Sequence, residues 1–336
     1  MRVLRLVRER LAMLVLVLSG VSVVTFLMSH VLPGDPAAAL AGPRPSKEVL
    51  RTIRHQFGLD RPLPIQYVSY LNDLIHGNLG TSIRTQDSVT SELLRYFPAT
   101  LELITFAFII AILIGIPLGV ISAVKKNSFT DYIVRLFAVG GVSIPLFWGG
   151  LVLILIFYAK LGWLPASGRL DIELSSPQTV TGFYTIDTLI AGDTEAFFNA
   201  VKHLIMPAFA LGYVQLAFIV RQVRSSMLDA LSQDYYLTGR ANGLSKRFLI
   251  IRYALRNALI PSITIIGLSF GSLLGGAVVT ETIFDWPGMG KYVTESILGR
   301  DFPAIMGFTI MIALVYVLIN LLVDLLVYSL DPQTRK

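Results

Sequence analysis

The sequence predicts an all-α polytopic membrane protein: six transmembrane helices, a small helical extracytoplasmic cap, and a polar helical elbow on the cytoplasmic side. Three observations carry that prediction. Six stretches contain no Asp, Glu, Lys or Arg and are long enough to cross hydrocarbon: residues 11–34, 103–124, 136–159, 204–220, 257–280 and 302–323. The chain is 54% hydrophobic but only 15% charged, with mean hydropathy +0.67, whereas a soluble domain carries about 25% charged residues. The basic residues gather at the borders of the apolar runs.

The first apolar run follows Arg2, Arg5, Arg8 and Arg10. It exceeds the roughly 7–15 apolar residues of a signal-peptide core, so it is read as a retained anchor despite the small residues at 37–41. Residues 1–32 thus form a cytoplasmic end and the first span. Residues 33–98 are too long for a bare loop and are read as the cap. Within them Val49, Leu50, Ile53 and Phe57 share one helical face that Gly58 ends, and residues 65–75 form a second helix candidate.

Pro98 suits the first turn of the second span, and Glu102 faces its positive end. Glu102 is either such a helix-start charge or a path-lining carboxylate. The second and third spans carry Gly115, Pro117, Gly119, Gly140, Gly141, Pro145, Gly149 and Gly150, residues that allow close helix approach or kinks. Residues 164–200 are acidic and irregular, and are read as a solvated outer loop or a contact for a delivery protein. The fourth run is short and borrows its flanks. In the fifth, Gly267, Gly271 and Gly275 recur every fourth residue and make one smooth face. That face either packs within the chain or borders a conduit. In the sixth, Asn320 and Asp324 are one turn apart. Asp324 reaches water or Arg135, or else acts at membrane depth.

Six crossings place the amino end, Lys125 and Lys126, the loop at 221–256, and Arg335 and Lys336 on one side. By the positive-inside rule that side is cytoplasmic, so both termini lie inside. The seven basic residues of 33–98 sit among six acidic ones, in a segment too long for the rule to govern strongly.

The polar stretch between the fourth and fifth runs organises the rest. It reads as a short helix from Leu231 to Ala241, a turn at Asn242-Gly243, and a second helix that Ser245 caps. Two short helices meeting at a glycine make an exposed elbow shaped to fit a groove on another protein. The alternative is a basic loop that only fixes topology.

Composition limits the chemistry. There is no cysteine, hence no disulfide framework, thiolate metal site or cysteine nucleophile. Four histidines are scattered without metal-ligand spacing, so no metal site and no catalytic residue is assigned. The net charge of +6 sits at membrane borders, which fits anionic lipid headgroups and not nucleic acid. Gly288-Met-Gly-Lys-Tyr is not a phosphate loop, since Asp285 and Tyr292 stand where Gly and Ser or Thr are required.

Gly243 followed eighteen positions later by Pro261 resembles the coupling loop of ABC importer permeases. Arg240-Ala-Asn-Gly-Leu-Ser and Tyr253-Ala-Leu-Arg-Asn-Ala-Leu-Ile-Pro resemble the dipeptide/oligopeptide, B-type, branch of that family. So do Leu32-Pro-Gly-Asp-Pro, Leu59-Asp-Arg-Pro, His76-Gly-Asn-Leu-Gly and Glu281-Thr-Ile-Phe-Asp-Trp-Pro-Gly-Met-Gly. The acid that opens the general loop motif is Leu237 here, and its two alanines are Thr238 and Gly239, so that acid's polar contact does not transfer.

The resemblance implies a core permease domain over 99–336 with the coupling loop at 221–261. It implies docking on an ATPase through Asp234, Tyr235, Gly239, Arg240, Ala241, Asn242, Gly243, Leu244 and Ser245. Gly267, Gly271 and Gly275 then lie near a second permease subunit or the path. Glu281 and Asp285 are at the pore mouth, as ligand-attracting or interface charges. The implied partners are a homologous permease, two ATPase subunits, an extracytoplasmic solute-binding protein and membrane lipid. ATP and magnesium belong to the ATPases, because this chain has no nucleotide-binding motif of its own. The implied location is the bacterial or archaeal cytoplasmic membrane. The family's solutes range over dipeptides, longer peptides, D-amino-acid dipeptides, opines, glutathione and nickel.

Two other functions compete. A self-sufficient secondary transporter needs coupling acids at membrane depth and an internal repeat. The sequence offers no such repeat and only Asp324 and Glu281 as acids. An intramembrane enzyme needs a Ser/His, paired-Asp or HExxH arrangement, and the spans carry none.

Overall fold

The computed structural model describes residues 2–31, 46–56 and 60–330, and among them no strand longer than an isolated bridge occurs. The motif at 32–36, the small residues at 37–41, Phe57, Gly58, Leu59 and the tail with Arg335 and Lys336 lie outside the described residues. Contacts divide the chain into two units, Met1–Phe97 with Lys291–Leu318, and Pro98–Gly290 with Ile319–Lys336.

In the first unit, α1 (Arg2–Val31) is the first span. Its Phe26 packs on Tyr67 and Tyr70 of α3 (Leu63–Ile75), and Ser22 and Thr25 hydrogen bond to those two tyrosine hydroxyls at 2.9 and 3.2 Å. This contact ties the first span to α3; the other helix between residues 46 and 75 is α2 (Lys47–Gln56). α2 forms where the apolar spacing places it, and α3 covers the second helix candidate at 65–75. A bridge between Thr81 and Ser88 closes a tight loop in which Gln86 takes φ +64°. Asp301, fully buried, accepts from Ser82 Oγ at 2.6 Å and from the Arg84 amide at 3.2 Å. Tyr292, on α12 (Met289–Leu298), donates to buried Glu92 at 2.8 Å.

The second span, α4, begins earlier than expected. It runs Val89–Val124, with Pro98 and Pro117 inside it. At 1.5 Å per residue its 36 residues reach about 54 Å, beyond the ~30 Å hydrocarbon layer. Glu102 is therefore an interior residue of a long helix and not a helix-start charge.

The third span is broken. α5 (Phe129–Ser143) and α6 (Leu146–Leu153, continued as a π-helical turn Ile154–Lys160) bend by 111° at Ile144-Pro145. Proline has no N–H and pushes the residue before it out of the helical region, and Ile144 is accordingly extended at ψ 122°. The described chain has five helices able to cross a membrane by length and composition, six if this pair counts as one.

α8 (Thr194–Leu231) is the axis of the second unit. Its 38 residues explain how an apolar run of only 17, residues 204–220, can sit within a span. It packs on α4, α5 and α11 (Arg256–Ile283). Approach to α4 is close. A Cβ on Gly119 would fall 2.8 Å from Val223 Cβ, and one on Gly212 would fall 2.5 Å from Ala107 O. Both are distances that atoms do not tolerate, so hydrogen is the only side chain that fits.

Of the two readings of residues 164–200, a plain solvated loop does not describe residues 164–193. They contain α7 (Tyr184–Ile190) and fold onto α4 and α8. α13 (Phe302–Leu330) is the last span.

Candidate functional site: the polar elbow

The elbow begins where α8 stops, at Leu231. Ser232 Oγ donates to Asp229 O at 2.8 Å, and Gln233 is extended. α9 (Asp234–Ala241) follows. The Gly243 amide donates to Arg240 O at 3.0 Å and the Leu244 amide to Gly239 O at 3.2 Å, while Gly243 sits at φ +80°. That paired pattern is the Schellman stop, which needs a left-handed residue one past the cap. The turn read at Asn242-Gly243 is therefore present, and its physical demand is for glycine. A second helix starts at α10 (Lys246–Phe248), passes through a π-helical turn Leu249–Leu255 and merges into α11. Ser245 occupies the cap position but makes no side-chain cap bond, so that part of the expectation fails.

Two side chains fix the elbow to the membrane core. Tyr236 and Leu249 are buried, and both belong to the cluster formed by Val223, Met227 and Ala230 of α8. Gly239 lies under Leu249: a Cβ there would come within 2.6 Å of Leu249 Cδ2. The opposite side faces solvent. Asp234, Tyr235, Leu237, Arg240, Ala241, Asn242, Gly243, Leu244, Ser245, Lys246, Arg247 and Phe248 are all exposed. The surface combines three cations with Leu237, Leu244 and Phe248. The residues expected to dock are all exposed, save Gly239, which serves the packing beneath it.

The remaining candidates fall elsewhere in the second unit. Glu281 is fully buried, accepting from Thr100 Oγ1 and the Gly290 amide at 2.6 Å each. Gly288 lies so close to the Glu281 carboxylate that a Cβ would collide with it. The Met289 amide donates to Thr100 Oγ1 at 2.8 Å, and Trp286 Nε1 to Ala99 O at 2.9 Å. The 281–290 motif therefore folds as one hydrogen-bonded knot against α4, with Asp285 exposed at φ +49°. The glycine stripe divides: a Cβ on Gly267 would strike Val323, Gly271 is buried, and Gly275 faces open space. Gly267 therefore serves packing within the chain, and Gly275 does not.

Sequence reasoning missed the partner of Glu102. Arg169 Nη2 lies 2.5 Å from Glu102 Oε2 and donates to Gly182 O at 2.8 Å. The Thr185 amide and hydroxyl donate to Glu102 Oε1 at 2.9 and 2.7 Å. The guanidinium covers the Tyr184 ring at 3.6 Å and stands 5.4 Å from the Trp286 ring. Asp171 and Asp187 are equally committed. Asn199 and then His203 hold the Asp171 carboxyl below its usual range. Burial pushes Asp187 up, but the Thr181 hydroxyl and the amides of Thr181, Gly182 and Val180 outweigh it and hold the group below the usual range. Arg135 Nε lies 3.6 Å from Asp131 Oδ1.

Residues 115–336 match the family model described as "Binding-protein-dependent transport system inner membrane component", and residues 3–104 match the N-terminal model of the same systems. The chain belongs to that family. Among its relatives is the "Probable D,D-dipeptide transport system permease protein DdpB" of Escherichia coli (strain K12), 53% identical over 98% of this chain and 96% of the relative. The "Dipeptide transport system permease protein DppB" of Alkalihalophilus pseudofirmus is 44% identical over 97% and 98% of the two chains. The "Di/tripeptide transport system permease protein DppB" of Pseudomonas aeruginosa is 43% identical over 99% of each. This binding-protein-dependent permease is accordingly a multi-pass transport component of the membrane, and the reading as a self-sufficient secondary transporter gives way.

Proposed function

We propose that this permease forms half of the translocation path of an ATP-driven importer for dipeptides or similar small solutes. A second homologous permease supplies the other half. Two ATPase subunits bind ATP and magnesium, and an extracytoplasmic binding protein delivers the solute. Both termini and the elbow lie in the cytoplasm. The relatives' names favour dipeptides as cargo, and D-configured dipeptides are the first to test.

The observation that supports this reading is the two-sided elbow. Buried Tyr236 and Leu249 join it to α8, while its exposed face from Arg240 to Phe248 is open to a partner's grip. An ATPase that closes on nucleotide and pulls on that face moves the membrane helices with it. Coupling through such a site is a free-energy linkage between the elbow and the path. Affinity purification of the tagged chain from its native membranes tests the proposal. Two ATPase subunits and a second permease should co-purify. Recovery of this chain alone, from membranes in which those proteins are present, would count against it.

A further inference from the structure

Asp131, a buried charge of the second unit, is held by four hydrogen bonds. It is fully enclosed at the start of α5. Ser122 Oγ on α4 donates to it at 2.5 Å, and the Asn127 amide, in the turn between α4 and α5, at 3.0 Å. Arg224 on α8 donates through Nε and Nη2 at 2.9 and 3.0 Å, one to each carboxylate oxygen. Asn127 holds φ +61° to bring its amide round, and Ser128 Oγ caps α5 by accepting from the Asp131 amide. Three pieces of chain thus converge on one carboxylate.

Such an arrangement is a poor source of stability. Desolvating two charges costs several kcal/mol, and apolar packing of similar volume often serves as well. What a forked Arg–carboxylate pair supplies is orientation, because two parallel bonds fix both distance and angle. Its position gives that orientation a use. Arg224 stands on the stretch of α8 whose Val223, Met227 and Ala230 pack in one cluster with Tyr236 and Leu249 of the elbow and with Ala123 and Val134 of α4 and α5. The elbow is fixed to α8 by apolar contact, and α8 is fixed to the α4–α5 turn by the fork.

We infer that Asp131 and Arg224 are a positioning pair that makes the elbow, the end of α8 and the α4–α5 turn move as one body. Displacement of the elbow is then delivered to α5, and so to the bent third span, instead of being absorbed where α8 meets its neighbours. The transport role of the pair rests on the function proposed above; the mechanical linkage does not.

The chain lacks cysteine, so spin labels attach only where cysteine is introduced. The full chain carrying Lys126→Cys and Ser245→Cys, both exposed positions, is labelled in lipid nanodiscs and the distance distribution measured by pulsed electron resonance. The natural pair gives a narrow distribution. R224K keeps the charge but loses the fork, and broadens it roughly twofold; D131N does the same. Unchanged widths in R224K overturn the inference, and that variant decides the matter if D131N does not fold. In the reconstituted complex, R224K lowers solute imported per ATP by about tenfold with ATPase subunits still bound. Equal loss of ATP hydrolysis and uptake would mark a merely structural residue and overturn the transport role. Failure of the unmodified chain to couple to any ATPase would instead strike the proposed function, while the label widths still decide the linkage.

Discussion

Leu249 lies over Gly239 so closely that a single methyl group on the glycine would come within 2.6 Å of its Cδ2. This contact seats the first helix of the elbow on the second. Gly239→Leu must therefore push α9 away from the core. Overpacking of this kind costs about 1–3 kcal/mol. The variant should lose solute uptake in reconstituted vesicles, and Leu249→Ala should restore part of it by making room. A double variant no better than the single one would show that the contact is not what matters.

The turn makes a separate demand. Gly243 adopts φ +80°, and a Cβ added there would meet nothing within 4 Å, so backbone conformation and not crowding selects glycine. A β-branched residue there costs about 1–2 kcal/mol. Gly243→Val is expected to uncouple ATP hydrolysis from uptake, and Gly243→Asn to do so less, since Asn tolerates the left-handed region. The ratio of solute moved to ATP hydrolysed measures both. Equal coupling in the two variants would contradict the account of the Schellman stop.

The glycine stripe on α11 offers a contrast between neighbours. Gly267→Leu collides with Val323 inside the chain and should lower the melting temperature of the isolated permease. Gly275→Leu points into open space, so it should leave that melting temperature unchanged yet impair pairing with the second permease subunit. Size-exclusion of the co-expressed pair separates the two effects. Normal pairing by Gly275→Leu would remove Gly275 from the proposed interface.

Arg169→Ala strands the Glu102 carboxylate in a buried site, a loss of about 3–5 kcal/mol for a pair of this kind. Replacing both residues with leucine should cost less than removing the arginine alone. Thermal melting of the three variants checks the order.

The pH dependence follows from Asp187, whose folded pKa is depressed by its four donors. A depressed carboxyl contributes stability above its unfolded pKa and loses it as pH falls through the folded value. The gap in melting temperature between the natural chain and Asp187→Asn should thus be widest above about pH 5 and shrink below about pH 4. A gap that does not change with pH would show that charge is not the source of the bonds' strength.

Local signals carried the sequence reading furthest. The apolar runs gave the spans, helical spacing gave the helix at Lys47–Gln56, and Asn242-Gly243 gave the turn, because each depends on residues close in the chain. Long-range pairing left no such trace. Arg169 stands 67 positions from Glu102 and Arg224 stands 93 from Asp131, with no spacing rule to join them. The break at Ile144-Pro145 was visible as a proline, but its angle depends on what packs around it. α4 starts at Val89, directly after the Thr81–Ser88 bridge, and carries Pro98 inside it, so the proline did not mark the helix start. Glu281 looked accessible because its burial depends on Thr100 and the fold of 286–290.

The most direct test is import of a radiolabelled dipeptide into proteoliposomes, with this permease reconstituted alone and with its second permease, ATPases and binding protein. Accumulation should require every component and ATP, and should fall away in Gly243→Val while ATP is still hydrolysed. Accumulation driven by the single chain, with neither nucleotide nor partner present, would contradict the account.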